Sequence, residues 1–308
     1  MRPPNPAGGP APAIVADLSA GRAEIERRLG IAEAALRGFG VEPAVERVDG
    51  HEAVAEAVAS ARPDAFPVVL GDDRSIRAAA GARVAGAAGL GAGPLLGILA
   101  ANRHVDFVRT FGIPPDQPAF AAERLVTAPA FPIDVGKVTY VDDRGHERTS
   151  HFVGLLEVGF GGAVFRREAK ARIRRTAAFA AFWLTVLTYR AGEVRLTGER
   201  REFAAHAHDV IVGNTQYGRH GIRLSPRSFP GDGAFDLLIM TGPKSQQVRL
   251  LPKMFQGEHV PDDSIQEHRV RRMTIDAERP LPVHADGEYL GTTPVTVELL
   301  PEALTLRI

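Results

Sequence analysis

The chain has no cysteine, which removes disulfides, thiolate nucleophiles and cysteine-ligated zinc together and fits a reducing, cytoplasmic setting. It has no excess of charge either. Lysine plus arginine and aspartate plus glutamate number 37 each, so no global field draws nucleic acid or an anionic membrane, and any such attraction has to be local. Long apolar runs are missing as well. The longest, Ala177 to Leu187 around Trp183, falls short of the roughly 20 residues that a bilayer-crossing helix needs. The opening stretch MRPPNPAGGPAPAIVADLSAG carries one arginine and no extended apolar core, so it does not read as a signal peptide. A soluble or at most peripheral protein is expected.

At 308 residues the chain is about twice a typical domain, and two domains are expected. The first part alternates strand and helix. PAIVAD (12 to 17) is a short strand, and Ala23 to Phe39 spaces apolar residues at three and four as an amphipathic helix does. EPAVERV is a second strand and Glu52 to Ser60 a second helix. Val68 to Leu70, an alanine-rich helix and a strand at Leu95 to Leu99 follow. This repetition predicts a mostly parallel sheet with helices outside it. Beyond about residue 125 the texture changes to short alternating segments, among them IDVGKVTYV, ERTSHFVGLLEVGF, EVRLTGERREF, AHDVIVGNT, FDLLIMTG, HRVRRMTID and PVTVEL. Glycine, proline and aspartate turns separate them, as in an antiparallel sandwich or barrel-like domain. One helical interruption is expected, Ala163 to Ala191, basic in its first half and apolar in its second.

The stretch FPVVLGDDRSIRAAAG (66 to 81) has the layout of a phosphate-binding turn: an apolar strand, Gly71, then a helix whose N-terminus would face an anion. Such turns use glycine for positive φ or for close backbone approach. Here the turn reads Gly71-Asp72-Asp73-Arg74-Ser75, with a single glycine.

Four further segments, LLGILAANRHVDFVRTFGIPPD (95 to 116), EVGFGGAVFRR (157 to 167), GNTQYGRHGIRLSPRSFPGDGAFDLLIM (213 to 240) and PLPVHADGEYLGTTPVTVELLPEALTLRI (280 to 308), together resemble the bacterial diacylglycerol kinase and sphingosine kinase-like lipid kinase family. Their order and spacing match it across essentially the whole chain. The resemblance implies an N-terminal NAD kinase-like α/β domain over 1–125 and a C-terminal antiparallel β-sandwich over 126–300. The tail from about 301 to 308 would return to the first domain, and a nucleotide cleft would lie between the two. It also implies transfer of the γ-phosphoryl of ATP to a lipid hydroxyl, with magnesium.

The chain departs from the family's motifs on the nucleotide side. Where the family reads GGDGT, this chain keeps Gly71, an aspartate at Asp73 and a hydroxyl at Ser75, with Asp72 and Arg74 in place of glycines. Of the usual PLGTGNDFAR, only Asp106, Phe107 and Arg109 survive in Ala100 to Arg109, where Arg103 and His104 are new cations. The family's first motif, an Asn-Pro-x-Ser-Gly turn, corresponds to Asp17 to Arg22, or to a displaced copy at NPAGG (5 to 9). Asp72 adds bulk and a charge that repels polyphosphate, and a non-glycine residue at positive φ would cost about 1–3 kcal/mol. Arg74, Arg103 and His104 either rebuild the pocket for another anion or pair with Asp72, Asp73 and Asp106.

On the acceptor side, Asp286-Gly287-Glu288 is kept. The resemblance makes Asp286 the general base for the lipid hydroxyl, with Glu288 beside it; the same Asp-Gly also suits a tight hairpin turn. Asp232-Gly233 would hold a structural magnesium by the same resemblance, or mark a turn before the strand at Phe235 to Met240. His206 and His208 share a strand face, but with no third ligand they read as ordinary histidines. Ser19, His151 and Asp134 form no recognisable triad. The basic and apolar RREAKARIRRTAAFAAFWLTVLTYR suits either peripheral membrane contact or packing on the sandwich. Three readings stand: a lipid kinase with a remodelled ATP turn, a pseudokinase, and a fold reused on another small or lipid-like substrate. The partners expected are a small-molecule or lipid substrate, a membrane surface and a second copy of the chain, and no nucleic acid.

Overall fold

A computed structural model describes residues 10–61, 66–86, 93–171, 176–199 and 201–308. It divides into two compact units, Met1–Val135 with Pro301–Ile308, and Gly136–Leu300.

The first unit runs β1 (Pro12–Asp17), α1 (Arg22–Gly38), β2 (Ala44–Val48), α2 (His51–Ala59), β3 (Phe66–Gly71), α3 (Asp73–Gly86), β4 (Leu95–Ala100) and α4 (Pro118–Thr127). β1 pairs in parallel with β2 and β3, β3 pairs in parallel with β4, and Thr305–Arg307 at the chain's end add a further parallel strand beside β4. Every residue of β3 is buried, as expected of a parallel strand covered on both faces. The edge strand β2 is largely exposed and carries Glu46 and Arg47, charges that discourage edge-to-edge pairing. Along α1 the buried Ile25, Leu29, Ala32 and Leu36 recur at helical spacing, which seats one stripe of the helix on the core. The strands β1 to β4 and the helices α1 and α2 lie within a residue or two of the expected ones, α3 extends the expected alanine-rich helix at both ends, and α4 was not expected.

The second unit takes over within β5 (Phe131–Val141). It continues with β6 (Glu147–Phe152), β7 (Leu155–Gly159), α5 (Phe160–Ala171), α6 (Thr176–Thr188), β8 (Gly192–Gly198), β9 (Glu202–Ala207), β10 (Asp209–Gly213) and β11 (Phe235–Met240). After these come α7 (Lys244–Gln256), β12 (Ile265–Val270), β13 (Arg272–Ala277), β14 (Pro282–Ala285) and β15 (Glu288–Arg307). One antiparallel run is β12-β11-β10-β7-β14-β15. β15 pairs with β14 through Glu288–Thr292 and then with β13 through Val295–Glu298, and β13 leads on to β8 and β9. Alternate side chains of both runs, such as Val210, Val212, Leu237 and Ile239 from one and Val194, Leu196, Ile275 and Val297 from the other, fill a single core. That is a β-sandwich.

Some details differ from the expected elements. The alternating segments at 147–160, 193–203 and 268–276 each break into two strands, β6 and β7, β8 and β9, and β12 and β13. The expected helical interruption is two helices, α5 and α6, and its residues 172–175 lie outside the described residues. Helix α7 was not expected. It contains Pro252, and a proline inside an apolar pattern argues against helix.

Candidate functional site

In the first unit, β2 lies on one side of β1 and β3 on the other, so strand order reverses between β1 and β3. Open α/β sheets bind ligands beyond the carboxyl ends of the strands at such a point. β1 ends there at Asp17 and β3 at Gly71. Gly71 is needed for close approach: a Cβ on it would lie 2.4 Å from the Cβ of Ser75. Ser75 is fully buried. Its hydroxyl donates to Asp17 Oδ2 at 2.6 Å and lies 3.1 Å from Asp72 Oδ1.

Asp72 caps α3. Its carbonyl accepts the Ile76 N–H at 3.0 Å, and its Oδ1 accepts the N–H groups of Arg74 and Ser75, each at 3.1 Å. An aspartate in this position satisfies donors that begin every helix unpaired. Its Oδ2 meets the Arg74 guanidinium at 2.8 Å. Asp73 reaches the loop after β4, where its Oδ1 accepts the N–H groups of Asp106 at 3.1 Å and Phe107 at 3.0 Å. Asp17 Oδ1 accepts the N–H groups of Ser19 and Gly50, both at 2.9 Å. Burial raises the Asp17 carboxyl, but hydrogen bonds from Ser19, Ser75 and Gly50 outweigh it, and its pKa lies below the ordinary carboxylate value. Arg103 and His104 touch each other at 3.4 Å, and the His104 N–H donates to Asn102 Oδ1 at 2.8 Å. Arg109 lies 3.5 Å from Asp106.

The structure thus brings Gly71, Asp73, Ser75 and Asp106 together around the end of β3, and Arg74 is ion-paired with Asp72. The strain expected at Asp72 and Arg74 is absent, because the non-glycine residues with positive φ are Arg219, His220, Asp286 and Glu302 among those described.

In the second unit, Asp286 and Gly287, at φ 45° and 81°, form the two-residue turn between β14 and β15. Both positive φ values suit the tight hairpin that Asp-Gly favours. The Asp286 side chain is buried and clasps the break between β6 and β7. Its Oδ2 accepts the Val153 N–H at 2.8 Å, and its Oδ1 accepts those of Gly154 and Leu155, both at 2.9 Å. Glu288, next in line, opens β15 opposite Ala285. Asp232 lies before β11, where its Oδ1 accepts the Ala234 N–H at 3.3 Å and its Oδ2 pairs with Arg269 at 2.6 Å. Among the described residues no group of three or more His, Asp or Glu side chains is placed to hold a metal ion. A carboxylate engaged by arginine is a poor start for one, since hard cations gather several oxygens. His206 pairs with Glu193 at 2.9 Å and His208 with the Gly242 carbonyl at 3.1 Å, so the two histidines serve different partners.

Sequence reasoning missed a buried ionic cluster. The Arg219 guanidinium donates through Nη2 to Glu157 and, at 2.5 Å, to Asp209, and lies 5.1 Å from the Phe160 ring centre. His284 sits 3.6 Å from Glu157 and stacks on Phe165 at 3.9 Å. Burial pushes the Asp209 carboxyl well above the ordinary range, against backbone hydrogen bonds from Gly161, Val210 and Phe160 that lower it. One guanidinium cannot by itself neutralise two carboxylates, so burial favours the protonated form of Asp209. The signal was present: a charged residue inside the apolar runs LLEVGF and HDVIVG.

Asp209 and Arg219 also line a cavity between α6, α7 and β10. Its volume is about 60 Å³, and its apolar walls include Phe160, Phe182, Val186, Ile211, Val248 and Leu251. Asp209 and Tyr189 are lining residues, and Asp209 Oδ1 and the Tyr189 hydroxyl are buried without a hydrogen-bond partner among the described residues.

An α/β unit built on a parallel sheet and a β-sandwich define the class. The family described as "YegS C-terminal NAD kinase beta sandwich-like domain" matches residues 154–308. A Mycobacterium tuberculosis diacylglycerol kinase is 29% identical over 214 residues, covering 68% of this chain and 67% of the relative. A Bacillus subtilis diacylglycerol kinase is 24% identical over 209 residues, 65% of each chain. Among solved structures, a diacylglycerol kinase from Bacillus anthracis str. Sterne superposes with a TM-score of 0.69 at 19% identity over 96% of both chains, a likeness of fold. The chain belongs to the YegS and bacterial diacylglycerol kinase family.

Proposed function

We propose that the protein acts on a long-chain lipid alcohol, transferring a phosphoryl group from ATP to its hydroxyl as its curated relatives are named for doing. The observation that carries the lipid side is the cavity of the second unit. Its walls are apolar, as a chain-binding site requires, while Asp209 Oδ1 and the Tyr189 hydroxyl offer partners to a ligand hydroxyl or ester. In this reading Asp286 receives the proton of the acceptor hydroxyl, Glu288 supports it, and Gly71, Asp73, Arg74, Ser75, Arg103, His104 and Asp106 shape the nucleotide side. ATP brings the γ-phosphoryl; Asp232, which the resemblance assigns to a structural magnesium, is paired with Arg269 and does not fit that ion.

The exposed apolar residues on α6 and α7 support peripheral contact with a bilayer, from which such a substrate would be drawn. No helix among the described residues is long and apolar enough to cross a membrane.

A specific observation favours a second reading, in which the lipid is bound and ATP is not used: carboxylates already hold the backbone amides of the β1, β3 and β4 loops. One experiment separates the two. Diacylglycerol in mixed micelles is incubated with magnesium and ATP labelled in the γ-phosphoryl group. Labelled phosphatidic acid supports the first reading. Diacylglycerol binding that is lost in Ile211→Trp, a cavity-filling change, with no labelled product, supports the second. Neither product nor binding overturns both.

A further inference from the structure

We infer that Asp72 is a resident anion of the β3–α3 turn, holding in the native chain the donors that a nucleotide's phosphates would otherwise use. Two backbone N–H groups at the start of α3, those of Arg74 and Ser75, point at Asp72 Oδ1, each at 3.1 Å. The nearest added cation, Arg74, closes onto Asp72 Oδ2 at 2.8 Å. These are the two kinds of donor, amides at a helix start and a guanidinium, that hold phosphate oxygens elsewhere. Here one carboxylate engages both.

The neighbouring loops follow the same scheme. Asp73 takes the amides of Asp106 and Phe107, and Asp17 takes those of Ser19 and Gly50. A polyphosphate approaching this face would have to displace a carboxylate from its amides and would also meet the charges of Asp72 and Asp73. Gly71 is not the obstacle. It is the retained glycine, and its role is to let β3 approach Ser75. Nor is backbone conformation, because neither Asp72 nor Arg74 has positive φ, so a glycine at position 72 would leave the turn's path unchanged. Asp72 therefore sets how tightly this turn binds a nucleotide. It makes the native chain a weak binder of ATP relative to one with glycine at that position.

This rests on the reading that a nucleotide is the phosphoryl donor, and its test uses no lipid, so its failure is distinct from failure to phosphorylate a lipid. The native chain, Asp72→Gly and Asp72→Asn are melted in rising magnesium-ATP and, separately, in inorganic triphosphate, since a ligand of the folded state raises Tm. Glycine is accepted at a helix start with little loss and asparagine caps as well as aspartate, so both variants fold, which a melt without ligand verifies. Asp72→Gly is expected to reach its half-maximal Tm shift at a concentration at least tenfold lower than the native chain. Asp72→Asn, whose side-chain oxygen still occupies the amides but whose lost charge frees Arg74, is expected to fall between the native chain and Asp72→Gly. The inference is overturned if the native chain binds as tightly as Asp72→Gly, if neither binds, or if Asp72→Asn matches Asp72→Gly, which would make charge alone the cause.

Discussion

Gly154 and Asp286 meet as backbone and clasp. The Gly154 N–H donates to Asp286 Oδ1 at 2.9 Å, and a Cβ on Gly154 would lie 2.5 Å from that oxygen. The loop between β6 and β7 and the β14–β15 turn are thus fixed to each other by a fit that leaves no room for a side chain. Gly154→Ala should push the carboxylate off its amides and cost about 1–3 kcal/mol, the usual range for overpacking. Urea denaturation measures this, and an unchanged midpoint would show that the loop yields without cost.

Asp286→Asn tests stability and chemistry together. The asparagine oxygen can keep the amides of Gly154 and Leu155, but its NH₂ would then face the Val153 N–H, donor against donor. Leaving a buried donor unsatisfied costs about 1–3 kcal/mol. Lipid phosphorylation by this variant, assayed well below its melting temperature, should fall below detection if Asp286 accepts the hydroxyl proton. Retention of the native rate in a correspondingly destabilised protein would assign Asp286 to architecture alone.

The cluster of Glu157, Asp209 and Arg219 predicts an asymmetry between its members. Arg219→Met leaves the buried Glu157 carboxylate without its cation and should cost about 3–5 kcal/mol. Asp209→Asn should cost far less, because burial already favours the neutral form of Asp209. The pH dependence follows from the direction of that shift. The folded chain holds a proton on Asp209 that the unfolded chain gives up near the ordinary carboxylate pKa. Above that value the folded state binds more protons, and stability falls as pH rises toward the folded-state pKa. Stability curves from pH 4 upward should therefore slope less in Asp209→Asn than in the native chain. Parallel curves would mean that Asp209 is ionised in the fold.

Much of the architecture is legible in the sequence because its signals are local. Ile25, Leu29, Ala32 and Leu36 announce α1 by spacing alone, and the uninterrupted apolar PVVL announces a strand buried on both faces. What was not legible depends on partners distant in sequence. Asp286 reads as a hairpin residue from its own neighbourhood, and only the fold brings it to the amides of Val153 to Leu155. Asp72 reads as a substitution that breaks a glycine motif, and its use as a cap emerges only once α3 starts at the next residue. Glu157, Asp209 and Arg219 lie in three separate segments, so the ion cluster exists only in three dimensions. Helix α7 was hidden by Pro252, which sits inside it and argues locally for a break.

The surface beside the cavity carries the last prediction. On α6, Trp183, Leu184 and Leu187 are 40%, 52% and 75% exposed, and on α7 Phe255 is 58% exposed. Val248 of α7 is also exposed while lining the cavity, so the cavity reaches the surface among these residues. The sequence of α7, KSQQVRLLPKMFQ, has three basic residues and no acid, which suits anionic headgroups. Full burial of a leucine is worth about 1.5–3 kcal/mol, so the double change Leu184→Ser with Leu187→Ser should weaken binding to phosphatidylglycerol-containing vesicles by about tenfold or more. Exposed substitutions of this kind usually change stability by no more than about 0.5 kcal/mol, so the melting temperature should hold. Replacing Lys244, Arg249 and Lys253 by glutamine should instead remove the preference for anionic over neutral vesicles, and raised salt should do the same to the native chain. Vesicle flotation that is indifferent to both sets of changes would show that the lipid reaches the cavity by another face.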